Sequence, residues 1–306
     1  MRLAVLIVPA ALAVTALALS ACVSLQPFAT VRARIPNDEW VELDGRQVHV
    51  VQSGAGDALV LLHGFGESTY SFRLVAPAMA QRFRVVAIDL SGFGYSERPR
   101  DPAAYTLDGQ MATVLGVLDR LGIEQARFVA HSYGGGLTLW IAAHHPERVR
   151  AMVLADSTLP LYSTKRRSRL AHWRGLNRLF LRSVALRPSF VRRGLASAYF
   201  DDALATPEVV QEYVDRLRVA GLDEAYFGLT ATNGAPPAIV DLAAIRIPAL
   251  LLWGEEDTLI PIAEGRASAA RLGNAEFLAL ARCGHVPMEE RPQEFLRAAL
   301  DFLERH

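Results

Sequence analysis

Short apolar runs alternate with helix-like stretches along most of the chain. Leu59-Val60-Leu61-Leu62, Ala126 to Ala130, Ala151 to Ala155, Ile247 to Trp253 and Asn274 to Leu280 each read as a strand. They are too short for core helices and are bounded by turn residues. Trp40 to Leu43 and Arg46 to Gln52 flank Asp44-Gly45, the signal of a hairpin. Strands that alternate with helical stretches predict an α/β protein with a mostly parallel central sheet and helices on both faces. The alternation breaks between Ser157 and about Ala244, where helical patterns continue without a strand run. That break predicts a helical cap, residues 157–244, inserted into a core formed by 40–156 and 245–306.

The beginning of the chain has a different pattern. Met1-Arg2 is a short positive start, Leu3 to Leu19 is apolar and alanine-rich, and Leu19-Ser20-Ala21-Cys22 closes it with small residues. A stretch this short reads as a secretory signal, residues 1–21, rather than a stable transmembrane helix. Residues 22–39 lack strong periodicity and read as a tether.

Composition adds little until it is taken locally. Thirty-two Lys and Arg balance 32 Asp and Glu over 306 residues, so there is no overall attraction to nucleic acid and no nucleic-acid partner is expected. The cap is biased. Lys165, Arg166, Arg167, Arg169, Arg174, Arg178, Arg182, Arg187, Arg192 and Arg193 occur with no Asp or Glu between Ser157 and Phe200. Leu170, Trp173, Leu176, Leu179, Phe180 and Leu181 are interleaved with them. A basic helix with an apolar face suits a membrane surface. It also suits a lid that packs its apolar face inward and solvates its arginines.

The chemistry gathers at strand ends. Ser132 sits in Ala130-His131-Ser132-Tyr133-Gly134-Gly135, after an apolar run and before a helical stretch. This strand–turn–helix setting holds a serine on a strained elbow and frees the next backbone N–H for an oxyanion. Such a nucleophile needs a base, an orienting acid and a second oxyanion donor. His285 follows the last strand run and is the candidate base. Asp257 follows the run ending at Trp253 and is the candidate acid, with Asp156 the competing one. Tyr133 N–H and Phe65 N–H, the latter in His63-Gly64-Phe65-Gly66, are the candidate oxyanion donors. His131 reads as structural, and His144 and His145 as C-terminal caps before Pro146. Asp89 with Ser91-Gly92-Phe93-Gly94 lacks phosphate-loop spacing and reads as a structural turn. No group has metal-ligand spacing, and no cofactor is implied. Cys283 lies two residues from His285 but has no elbow around it.

Five stretches in this order resemble the α/β-hydrolase fold superfamily, on its Ser-Asp-His branch. They are His63 to Gly66, Asp89 to Ser96, Ala130 to Gly135, Trp253 to Asp257 and Cys283 to His285. Alanine stands at position 130 where the motif usually has glycine; smallness is the requirement there. The resemblance implies a serine hydrolase that cleaves carboxylic esters with an apolar portion through an acyl-enzyme, with His63 ordering its own loop. On the same triad it leaves open a carbon–carbon bond hydrolase, an amidase or a thioesterase. Relatives that dehalogenate or open epoxides carry aspartate at the elbow, and Ser132 argues against them. A lipid-anchored binding or scaffold protein is the non-enzyme alternative. Cys22 resembles the lipidated cysteine of a bacterial lipobox. That implies a membrane anchor in the cell envelope and leaves Cys283 as the only thiol.

Overall fold

The computed structural model describes residues 23–158, 174–231 and 240–306. Its centre is an eight-stranded sheet in the order β1-β2-β4-β3-β5-β6-β7-β8. The strands are β1 (Trp40–Leu43), β2 (Arg46–Ser53), β3 (Ala58–Leu62), β4 (Arg84–Ile88), β5 (Ala126–His131), β6 (Val149–Ala155), β7 (Ala249–Gly254) and β8 (Ala275–Leu280). The β1–β2 and β2–β4 pairs are antiparallel, and every other pair is parallel. The hairpin turn is where the sequence put it, with Asp44 and Gly45 both at positive φ. β7 begins two residues later than expected, after Pro248, which has no N–H to give to a ladder.

The central strands are apolar throughout because both faces of the sheet are covered. In β3, Val60 and Leu62 pack into one core with Val114, Leu118 and Leu137. Leu59 and Leu61 point the other way, into a second core with Met79, Phe295 and Phe302. Every one of these side chains is essentially inaccessible. Burying a side chain of this size contributes about 1.5–3 kcal/mol.

The first helix, α1 (Phe28–Arg34), lies in the segment expected to be a plain tether. That expectation is corrected. Val23 N–H donates to Arg182 O, and Gln26 exchanges backbone hydrogen bonds with Arg218 and Ala220. Val31 is fully buried, and the Phe28 ring meets Trp40 edge-on at 5.8 Å. Two apolar residues one turn apart are enough to dock a short helix here.

The core helices that matter for the site are α2 (Leu107–Arg120) and α3 (Ser132–His144). His144 closes α3 as a cap, its Nδ1 bonding Trp140 O at 2.9 Å. Between β6 and β7 the described residues are helical, with no strand. It contains α4 (Arg174–Phe180), a π-turn at Leu181–Ala185, α5 (Pro188–Ala198), α6 (Pro207–Leu217) and α7 (Leu222–Ala231). The core grips these helices through buried polar groups. The Arg98 guanidinium donates to the carbonyls of Gly92 and Arg216 and also to Val219. Glu289 accepts from the hydroxyls of Tyr199 and Tyr213 at 2.8 and 2.7 Å.

The basic bias of the cap is partly answered from within. Asp223 and Glu224 of α7 pair with Arg178 at 3.1 and 3.3 Å, and Asp223 also pairs with Arg182. Arg187, Arg192 and Arg193 are exposed. Lys165, Arg166, Arg167 and Arg169 lie outside the described residues, as do residues 1–21 and Cys22. Among the described residues, no helix is long and apolar enough to cross a membrane.

Candidate active site

The site lies at the carboxyl ends of β3, β5, β6, β7 and β8, where an open α/β sheet places its chemistry. β5 runs without a break into α3, and Ser132 takes the corner with φ of 48°. A left-handed backbone is costly for a residue with a Cβ, about 1–2 kcal/mol, and here it lifts the hydroxyl clear of the sheet. Small neighbours make the corner possible. A Cβ at Gly134 would lie 2.4 Å from Leu62 O, and one at Gly135 would lie 2.2 Å from Ser157 Oγ. Ala130 is fully buried, paired between Leu62 and Leu154, and fits where the motif usually has glycine.

The turn after β8 brings His285 to the serine. Its Nε2 lies 3.0 Å from Ser132 Oγ, across 153 positions of sequence. Its Nδ1 lies 2.8 Å from Asp257 Oδ2. Asp257 Oδ1 accepts the amides of Leu259 and Ile260 at 2.7 and 3.0 Å. Burial raises the Asp257 pKa, but the His285 hydrogen bond and charge, together with these amides, hold it below the usual carboxylate range.

Asp156, the competing acid, does not reach the imidazole. Its Oδ1 accepts Gly254 N–H at 3.0 Å, and its Oδ2 is buried with no donor to accept from. Burial first, and the Asp257 charge second, push this carboxyl well above its ordinary pKa. Both causes favour the protonated, uncharged form of this carboxyl.

The ligand atoms of Asp156, Asp257 and His285 lie within 4.8 Å of one another, a grouping that sequence spacing does not reveal. It is a poor cradle for a cation. Both nitrogens of His285 are engaged with protein partners, and the Asp257 oxygens already accept from the imidazole and two amides.

Tyr133 is the second residue of α3, so its N–H has no intrahelical acceptor. Phe65 N–H has no protein acceptor among the described residues. The Phe65 ring is 55% exposed and stands against Phe93 at 5.2 Å and Tyr133 at 6.4 Å, giving an aromatic wall beside the nucleophile. His63 orders the loop below. Its Nδ1–H donates to Gly64 O and its Nε2 accepts from Leu90 N–H. Asp89 is a structural hub, receiving His49 Nδ1 and the amides of Thr69 and Tyr95. Cys283 is fully buried, and burial pushes its thiol pKa up, which suppresses the thiolate.

Two residues near the site carry more than the sequence suggested. Glu67 Oε2 lies 2.9 Å from His131 Nδ1, and His131 Nε2 lies 2.6 Å from the main-chain oxygen of His285. Partners 64 and 154 positions apart leave no local signature.

Comparison with known proteins identifies the family and the fold. The chain is 33% identical to the 2-hydroxymuconate semialdehyde hydrolase of Pseudomonas sp. (strain CF600), over 85% of this chain and 91% of that protein. Among solved structures it is similar to a hydrolase from Pseudomonas aeruginosa PA01, with 29% identity, a TM-score of 0.71, and 86% and 97% of the two chains covered. It shares the fold of the meta-cleavage product hydrolase from Pseudomonas fluorescens IP01, at 24% identity and a TM-score of 0.73, over 88% and 99% of the chains. Residues 57–292 match the alpha/beta hydrolase fold family, and the chain belongs to that family.

Proposed function

We propose that the chain is a serine hydrolase that cleaves carboxylic esters with an apolar portion. The observation that carries this reading is the unbroken relay from Ser132 Oγ through His285 to Asp257. Ser132 Oγ attacks the ester carbonyl while His285 Nε2 takes its proton. Asp257 holds the tautomer and the imidazolium. The N–H groups of Phe65 and Tyr133 stabilise the tetrahedral oxyanion, about 3–4 kcal/mol for each donor. Collapse breaks the ester bond, and His285 returns the proton to the leaving alcohol. Water, with His285 again as base, then releases the acid from the acyl-enzyme. The aromatic wall of Phe65, Phe93 and Tyr133 favours an apolar group beside the reacting carbon.

A second reading is hydrolysis of a carbon–carbon bond, favoured by the identity to a 2-hydroxymuconate semialdehyde hydrolase. Initial rates on a chain-length series of p-nitrophenyl esters and on 2-hydroxymuconate semialdehyde separate the two. The larger kcat/KM on an ester supports the first, and the larger value on the semialdehyde replaces it. A fluorophosphonate probe that fails to label Ser132 overturns both and leaves a lipid-anchored binding or scaffold protein.

We further propose that the enzyme works at a bacterial envelope membrane, held by a lipidated Cys22. Support comes from the apolar leader and the Leu19-Ser20-Ala21-Cys22 ending. Since Val23 is hydrogen-bonded to the cap at Arg182, such an anchor would hold the cap side of the enzyme near the lipid. Loss of membrane fractionation in Cys22→Ser supports the anchor; unchanged fractionation overturns it.

A further inference from the structure

The neighbours of His131 favour one placement of its hydrogen atoms. Nε2 faces the His285 main-chain oxygen at 2.6 Å, and a carbonyl oxygen only accepts. Nδ1 faces Glu67 Oε2 at 2.9 Å, and that oxygen already receives Gly64 N–H at 2.8 Å. The same oxygen also receives the Ser71 hydroxyl at 3.1 Å, and a doubly protonated ring facing a Glu67 carboxylate satisfies every one of these contacts. The pair is buried, and Gly64 leaves room for it; a Cβ there would lie 2.7 Å from His131 Nδ1. Burial opposes both charges, but each outweighs it for the other. The Glu67 carboxyl is lowered to about 2, and His131 is raised above its ordinary value. The other ionisable groups around the ring are His63, at the end of β3, Asp257, after β7, and the His285 ring at 4.9 Å. His63 stays neutral, since it donates from one nitrogen and accepts on the other.

We propose that the Glu67–His131 ion pair is a positioning device for the hydrolytic step. It joins three pieces of machinery that no other single contact joins among the described residues. Glu67 holds the oxyanion loop through Gly64 N–H, one residue before the donor Phe65. His131 fixes the elbow from the position just before Ser132. Its Nε2–H fixes the main chain of the base, His285. Neither residue touches the substrate. The inference rests on Ser132 and His285 acting as nucleophile and base.

The charge state is read directly on the wild-type chain by nitrogen-15 NMR of the histidine rings. A doubly protonated His131 at pH 7.5 is expected, and a neutral ring overturns the proposal without any variant. Kinetics tests the consequence. Glu67→Gln and His131→Gln should each lower kcat about 10–100-fold with KM nearly unchanged, the size of loss that small misplacements of reacting groups produce. Loss of the His131 proton should appear as an alkaline fall in kcat, absent from the neutral double variant Glu67→Gln/His131→Gln. That variant also serves if a single one leaves a buried charge and fails to fold. Wild-type kcat and an unchanged alkaline limb in a folded variant overturn the proposal. A fluorophosphonate keeps this failure apart from failure of the triad. If the wild type is not labelled, the triad reading falls. If wild type and variants are labelled at the same rate, only the brace falls.

Discussion

Asp156 and Asp257 follow neighbouring strands, β6 and β7, and present carboxyls to the same corner of the site, yet only Asp257 bonds the imidazole of His285. Burial first, and the Asp257 charge second, favour the protonated form of Asp156. Asp257→Asn should lower kcat about 10⁴-fold, since an amide at that place favours the wrong tautomer of the base. Asp156→Asn should cost no more than about 10-fold, because the amide oxygen can keep the bond from Gly254 N–H and Asp156 does not bond the imidazole. Steady-state kinetics on one ester decides. A dead Asp156→Asn beside a working Asp257→Asn would reverse the assignment.

The same pair predicts how stability responds to pH. Asp156 binds its proton more tightly in the folded chain than in the unfolded one, where its pKa is about 4. Between those two values the folded state holds more protons, so this group's contribution falls as pH rises. Asp156→Asn cannot ionise and loses that dependence. In urea unfolding at pH 5 and pH 8, the wild type should lose more stability than the variant between the two conditions. Equal losses would show that the raised pKa is wrong.

Strain at the elbow is measurable apart from chemistry. Ser132→Ala and Ser132→Gly should both lose ester hydrolysis by several orders of magnitude, about 10⁴-fold or more. They should differ in stability. Alanine keeps the Cβ that makes a φ of 48° costly, and glycine removes it. Thermal melts should place Ser132→Gly above Ser132→Ala. The reverse order would deny the strain, and near-normal turnover in a folded Ser132→Ala would deny the nucleophile.

Much of this site was legible because its chemistry sits one step past an apolar run. Ser132, Asp257 and His285 each follow a strand that periodicity finds, and the parallel sheet brings those strand ends together. Glu67 and His131 were not legible as a pair. Their bond depends on how the loop after β3 folds over the end of β5, which neither sequence window contains. The charge partners of Arg178 and Arg182 were hidden for the same reason, because Asp223 and Glu224 arrive from a helix more than 40 positions on. Residues 22–39 read as a tether because the seven-residue helix within them, with one fully buried side chain, has almost no periodicity to detect.

That segment gives its own test. Val31 is fully buried, so Val31→Ala should destabilise the folded chain by about 1–2 kcal/mol, the cost of lost apolar burial and the hole left behind. A lipid-free chain beginning at residue 37 should unfold at lower urea than one beginning at residue 23. Identical midpoints would return the segment to a passive linker.

The last residue of α5 has a consequence for how such an enzyme could change. Ala198 O receives the backbone N–H of His285 at 2.7 Å, so a helix of the segment inserted between β6 and β7 also holds His285 in place. Grafting a foreign segment in place of this one would remove that support of His285 in the same stroke. Selection of variants in α5 for a new substrate would act at the same time on where the carbonyl of residue 198 sits. Turnover and preference would then drift together, and a specialist bred through this helix would have to be retuned for speed before it could be judged for choice.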